Sequence, residues 1–251
     1  MKRVACFAIT FTVVICSCGK ENDHENDTDN MHDPKTVGTM TDIDGNSYYT
    51  VKIGNQWWMK ENFKTTRYND GSPISDIQSV SEWASTIEGA YCAYNNNESY
   101  ADTFGLLYNY YAFESGKLSP DGWRMPTKDD WLTLLRFIKD TLGIPNESDA
   151  LRSYSGWWDE FSAEEQNGLD LVGFKALPAG YREPLSDDSG GFHGNKSWAT
   201  FWSTTEITDG THIYVLQLSP YMPTQVSHDG GYGAIYGPTN MGLSIRLIKE
   251  E

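Results

Sequence analysis

Gly122-Trp123-Arg124-Met125-Pro126-Thr127-Lys128-Asp129-Asp130-Trp131, running on to Leu142 and Gly143, is the stretch whose reading decides the fold. Pro126 fixes its own φ and biases Met125 away from helical geometry, so the chain turns before a helix begins. Thr127 is placed to cap the first turn, and Asp130 three residues on completes a capping-box pattern. Asp129 and Asp130 lie near the positive end of the helix dipole. Trp131, Leu134, Leu135, Ile138 and Leu142 share one face at helical spacing. Gly143 supplies a left-handed stop and Pro145 prevents resumption. One principal amphipathic helix with its apolar stripe against a core is therefore expected.

The segments on either side read as strands and loops. Val37 to Ile43, the Asp44-Gly45-Asn46 turn and Ser47 to Ile53 form a β-hairpin pattern. Gly54-Asn55 turns into Gln56-Trp57-Trp58-Met59, a third strand. Strand neighbours point to opposite faces, so one of Trp57 and Trp58 belongs to the core and the other is partly exposed. Ser81 to Ser99 is polar and without clear period, whereas Phe104 to Phe113 is dense in aromatics suited to core packing, with a short helical turn. Gly143 to Trp198 is long, glycine-rich and weakly periodic, and a loop region of that length inside a domain is usually functional. Phe201 to Thr204, His212 to Leu218 and Leu243 to Ile248 are strand-like again. A last strand pairing with the first hairpin would bring the two ends of the domain together.

Residues 1–17 have the layout of a signal peptide, with Lys2 and Arg3 ahead of the apolar run Val4 to Ile15. That run is too short for an ordinary membrane span. Ile15-Cys16-Ser17-Cys18 resembles a bacterial lipobox, with Cys18 as the retained, acylated residue. Residues 18–36 then read as a lipidated, flexible acidic tether, since Gly19 to Lys35 has almost no apolar residue to offset the entropy of ordering. Residues 37–251 form the domain. Cys6 and Cys16 would leave with the signal and Cys18 would carry lipid, so Cys92 alone remains in the body and no disulfide can form within it. A formal net charge of −16 and the lack of a basic patch argue against a nucleic-acid partner.

Several ordered motifs resemble one family. Asp42-Ile43-Asp44-Gly45-Asn46, Tyr49, Val51-Lys52-Ile53-Gly54-Asn55-Gln56, Trp58-Met59 and Glu61-Asn62 are similar to the start of the Fibrobacter succinogenes major paralogous domain. Gly105, Leu107-Tyr108-Asn109, Ala112, Gly122-Trp123, Pro126-Thr127 and Trp131 follow in order. So do Gly173-Phe174, Leu177-Pro178-Ala179-Gly180-Tyr181-Arg182, Trp202-Ser203, Glu206 and Ser244-Ile245-Arg246. The resemblance runs from about Val37 to Lys249. It implies an α+β, C-type-lectin-like domain with paired N- and C-terminal strands, one principal helix and a long loop region. It also implies an exported bacterial lipoprotein, at the outer membrane or cell surface of a Gram-negative, Bacteroidota-like organism. Lys20-Glu21-Asn22-Asp23, just after the lipid cysteine, loosely resembles a surface-export signal of that group.

The function expected is a non-catalytic binding module for a glycan or a protein; the alternative is a structural component of a surface or adhesive assembly. The candidate ligand contacts are Trp157, Trp158, Tyr181, Arg182 and Glu183, because aromatic faces stack on sugars and charged groups bond their hydroxyls. Packing offers a second role for several: Tyr181 and Arg182 as a structural clamp, Trp157 as a plug in the core. Glu183, Asp187 and Asp188 are weak candidates for a hard cation. No cofactor is expected. Lectin-type calcium sites use Glu-Pro-Asn and Trp-Asn-Asp triplets, but Glu183-Pro184-Leu185 lacks the amide and no Trp-Asn-Asp occurs. The related formylglycine-generating chemistry needs a reactive cysteine pair, which the body lacks. No hydrolase motif appears, and His193, His212 and His228 have no zinc-site spacing. If Cys18 carries the anchor, Cys18→Ala moves the protein from the membrane fraction to the soluble fraction; unchanged partitioning on fractionation excludes that anchor.

Overall fold

The computed structural model describes residues 37–159, 161–184, 190–206, 213–222, 224–227 and 241–250. The signal, Cys18 and the tether lie outside the described residues, as do Asp187, Asp188, His212 and His228.

The chain opens with the meander β1 (Val37–Thr41), β2 (Ser47–Ile53) and β3 (Gln56–Met59). There follow β4 (Ser75–Asp76), α1 (Val80–Ser85), β5 (Ala90–Cys92), α2 (Glu98–Phe104), β6 (Leu107–Tyr108) and α3 (Tyr110–Glu114). Next come β7 (Trp123–Arg124), α4 (Lys128–Arg136), α5 (Glu147–Leu151), β8 (Trp158–Asp159), β9 (Glu164–Glu165), β10 (Ala179–Arg182) and β11 (Phe192–Asn195). The last strands are β12 (Ala199–Glu206), β13 (Ile213–Leu218), β14 (Gln225–Ser227) and β15 (Ile248–Lys249). One sheet has the order β1-β2-β3-β15-β7 and a second β11-β10-β12-β13-β14, with smaller sheets β4-β5-β6 and β8-β9. The architecture is mixed α+β.

The first turn is built from carboxylates. Asp42 accepts the backbone N–H groups of Asp44 and Asn46 at 3.0 and 2.9 Å and the Tyr48 hydroxyl at 2.7 Å. Burial opposes ionisation of Asp44, yet hydrogen bonds from Thr66, Arg67 and Thr65 outweigh it and hold its pKa at about 2. The turn is thereby pinned to the segment after β3. Trp58 is buried and Trp57 half-exposed, as strand alternation requires.

The expected helix is α4. Thr127 and Asp130 form the reciprocal capping box. Asp130 also receives both terminal nitrogens of Arg124, at 2.6 and 2.9 Å. The α-helix is shorter than its apolar stripe: beyond Arg136 the chain widens into a π turn, Phe137–Thr141, closed by Leu142 N–H donating to the Phe137 carbonyl at 3.0 Å. The wider turn keeps Ile138 buried in the stripe, and Gly143 exits at φ +69°. Trp131 stacks on Trp58 of β3 with centroids 4.4 Å apart, and Phe174 and Phe201 complete the cluster. Its indole N–H donates to the Trp202 carbonyl at 3.3 Å, while Trp202 donates to Tyr108 at 2.8 Å. Large rings are thus buried with their polar atoms satisfied.

Three expectations need correction. The first strand ends at Thr41, because Asp42 leaves the ladder to organise the turn. Ser81 to Ser99 holds α1, β5 and the start of α2, short elements set by caps at Ser79 and Asn97. Gly143 to Trp198 holds α5 and four strands, too short to generate a visible period. The last strand does join the N-terminal meander, Ile248 pairing with Trp58, but the ladder there is confined to Ile248–Lys249. Residues 242–244 instead make isolated bridges to Arg182, Tyr108 and Phe201.

Arg246 lies between these segments, fully buried. Its Nε donates to Asn62 Oδ1 at 2.7 Å, and Nη1 to the carbonyls of Met59 and Phe174 at 2.9 and 2.8 Å. Nη2 reaches the Lys175 carbonyl at 2.9 Å. Replacing Arg246 by Met orphans these acceptors, and a loss of about 3–5 kcal/mol is expected. Trp131→Ala should cost a similar amount, roughly 3–5 kcal/mol, through the cavity it leaves. Denaturant unfolding checks both; an unchanged midpoint for either removes that residue from the framework.

Candidate functional site

The residues proposed from sequence separate into an inner and an outer set. Trp157 is 1% exposed, donates its indole N–H to Ser153 Oγ at 3.0 Å and packs in the α4 core. Arg152 covers its ring at 5.0 Å. Arg182 is 0% exposed, with Nη1 and Nη2 donating to the Ile77 and Gln78 carbonyls at 2.6 and 2.8 Å. Its guanidinium lies 4.5 Å from the Trp83 ring and 4.8 Å from that of Phe192. Neither presents a face to a ligand; these are the plug and the clamp.

Arg182 also faces Cys92. Burial pushes the Cys92 thiol up to about 12, against the opposing pull of the guanidinium, so it is a protonated core residue and not a nucleophile.

Tyr181 and Glu183 are half-buried beside His193. The Tyr181 and His193 rings are 5.7 Å apart, and Glu183 Oε2 lies 3.9 Å from His193 Nε2. Among the described residues no three His, Cys, Asp or Glu side chains converge on a metal-sized point.

Trp158 is 41% exposed, at the start of the β8–β9 hairpin. Its backbone is held against the end of β11: its N–H donates to the Lys196 carbonyl at 2.7 Å and its carbonyl accepts Ser197 Oγ–H at 3.0 Å. Asp159 organises the tip of the β8–β9 hairpin by accepting from Phe161 N–H and Ser162 Oγ–H, both at 2.9 Å. The Phe161 N–H is the main reason the Asp159 carboxyl titrates below its usual range. Phe161, 79% exposed, meets Tyr221 edge-to-face at 4.8 Å, and Tyr221 meets Trp198 edge-to-face at 5.3 Å. Trp198 lies over Gly194, where a Cβ would come within 2.5 Å of the indole. Phe161, Tyr221 and Trp198 thus form a continuous aromatic array bordered by Asp159, Glu164 and Glu165 on the hairpin.

Sequence reasoning missed Phe161, Trp198 and Tyr221. The available signals were an aromatic amid acids in Asp159-Glu160-Phe161 and one between prolines in Pro220-Tyr221-Met222-Pro223. Tyr181 and Glu183 lie at the other end of β11 from Trp158, as the pairings Tyr181↔His193 and Trp158 with Lys196 show.

Residues 51–249 match the model of the Fibrobacter succinogenes major domain. The chain belongs to that family. No curated protein and no solved structure matches it. In this member of the Fibrobacter succinogenes major domain family, the Glu61-Asn62, Gly173-Phe174 and Ser244-Ile245-Arg246 motifs converge on the Arg246 network, while Tyr181-Arg182 builds the second buried clamp. Those motifs carry the framework. The outer aromatic array falls between them.

The inner and outer tryptophans should therefore separate on mutation. Trp157→Ala is expected to cost roughly 3–5 kcal/mol and Trp158→Ala within about 1 kcal/mol, read from paired chemical denaturation curves. Equal losses would place Trp158 in the core.

Proposed function

We infer that this protein is a non-catalytic binding module that engages a glycan through the aromatic array of the β8–β9 hairpin. The observation that carries this reading is the chain of rings Phe161–Tyr221–Trp198 beside half-exposed Trp158, held at the surface by backbone hydrogen bonds. Isolated exposed aromatics are common, but several in contact at a surface are what sugar rings stack upon. The carboxylates of Asp159, Glu164 and Glu165 supply acceptors for hydroxyls at the edge of the array. Rigid rings with their geometry already set lose little entropy on binding.

A C-type-lectin-like fold is consistent with the closure of the N-terminal sheet by the last strand and with the extended segments between α4 and β12. The reading includes export and attachment to the membrane through a lipid on Cys18, which would display the array to extracellular polymers. Tethering would also raise the effective concentration of the module at the envelope surface. Stacking of a sugar on aromatic rings needs no cation, so calcium-independent binding is expected of this array.

A glycan array probed with the full chain, with calcium and with chelator, tests the reading. Binding to a discrete set of glycans is expected, equal in both conditions and reduced about tenfold or more by Trp158→Ala or Phe161→Ala. A blank array, or binding that both substitutions leave intact, overturns it.

A further inference from the structure

The N-terminal sheet has two unlike edges. At one, β7 is two residues long and carries the charged Arg124. Shortness and charge are the ordinary protection of a sheet edge against pairing with another chain. At the other edge, β1 runs for five residues, Val37–Thr41, with neither a charge nor a proline. Asp42 N–H donates to the Asn46 carbonyl, so by the antiparallel alternation Met40 and Gly38 also turn their backbone groups towards β2. The N–H and C=O groups of Val37, Thr39 and Thr41 therefore point away from the sheet. Among the described residues, β2 is the only strand paired with β1.

Exposed apolar surface gathers beside this edge. Val37 is 47% and Tyr49 61% exposed. Thr39 pairs with Tyr49, so the two side chains share the face on which Val37 and Thr41 also stand. Further along that face Val51 and Ile53 are buried in the α4 cluster with Trp131, whereas the Thr39–Tyr49 end is left open. The two ends of the strand also differ in charge. Exposed Lys52 follows the partner of Val37, while Asp42 and Asp44, set against the single cation Arg67, follow Thr41. A copy added antiparallel brings the Lys52 end to the acidic end, and a copy added parallel brings like to like. On a chain of net charge −16, that difference selects the antiparallel arrangement.

We propose that β1 is a self-association edge, where two copies of this chain pair β1 with β1 antiparallel about a two-fold axis at Thr39. In that register the outward backbone groups match one for one. Thr39 exchanges hydrogen bonds with Thr39 of the second copy, and on each side Val37 exchanges them with Thr41. The groups so paired are the ones that β2 leaves unused. One face of the joined sheet then carries the row Tyr49, Thr39, Thr39, Tyr49 across four strands, a β-branched pair flanked by rings. The contact is isologous and consumes the edge, so assembly stops at two copies. An unrelated extended peptide would satisfy the same backbone groups but would make no use of the opposed end charges.

The test is sedimentation velocity of the full chain, with cysteine cross-linking to fix the register. The parent chain is expected to sediment as a dimer. Thr39→Lys sets two ammonium groups together at the axis and should give a monomer. Thr39 is exposed and its N–H serves no bond within the sheet, so the melting temperature of the isolated variant shows whether the fold is intact. Thr41→Lys, away from the axis, should weaken the dimer without this direct clash. Thr39→Cys should give a disulfide-linked dimer on mild oxidation, above the background of the parent chain. Facing residues of a hydrogen-bonded antiparallel pair lie about 5.5 Å apart between Cα atoms, within disulfide reach. Ser47→Cys, on β2 and one strand removed from the contact, should not cross-link. The proposal is overturned if the parent chain is a monomer or if a folded Thr39→Lys variant remains a dimer. It is equally overturned if Thr39→Cys links to a different polypeptide, which would assign the edge to a strand of another protein.

Discussion

The structure depends on a buried positive charge without a carboxylate partner in its coordination. The Arg246 guanidinium is fully enclosed, and every hydrogen bond described for it goes to a neutral oxygen: Asn62 and the carbonyls of Met59, Phe174 and Lys175. Burial pushes its pKa down to about 9, with Glu61 and Asp170 acting weakly in the other direction. Such burial costs free energy, and it is tolerated because one planar group satisfies acceptors from two stretches, Met59 to Asn62 and Phe174 to Lys175, that have no ladder in common. Phe174 and Phe201 flank the group at 4.9 and 5.6 Å, so its faces are covered by rings while its edges are hydrogen-bonded. Arg182 repeats the device between Trp83 and Phe192. Two arginines thus do inside this chain what regular secondary structure does in proteins with longer elements.

That explains what could be read from the residues alone. The α4 cap was legible because Thr127 and Asp130 act on each other locally, and Trp58 and Trp131 because strand and helix periods place them. The meander was legible from its turns. By contrast, β8 to β11 are two to four residues long, and two or four residues cannot display a period. Their positions are set by distant partners, such as the Lys196 carbonyl that receives Trp158 N–H and the Gly242 carbonyl that receives Arg182 N–H. The outer aromatic array was illegible for the same reason. Phe161, Trp198 and Tyr221 are far apart in sequence, and only tertiary structure joins them.

The two adjacent tryptophans at 157 and 158 show how a single residue step divides framework from surface. Trp157 has its N–H satisfied by Ser153 and a guanidinium across its ring, whereas Trp158 contributes backbone bonds and leaves its indole half in water. Trp157 lies just before β8 and Trp158 is its first residue, so the division falls at the point where the strand begins. The family match covers both residues, yet the family-like motifs map onto the buried arginine clamps. The buried clamps therefore hold the fold without help from the outer aromatic and acidic residues.

The position of β15 has a consequence for the order in which the chain can fold. Ile248 and Lys249 lie between β3 and β7, in the interior of their sheet, although they are far from both in sequence. Until they arrive, the facing edges of β3 and β7 have no partner, and Arg246 is not yet available to tie the meander to Phe174. Closing this sheet therefore requires long-range contacts, Ile248 with Trp58 and Arg246 with Asn62, that local pairing cannot supply. Residues 246–249 thus act as a latch between the meander and the segment around Phe174.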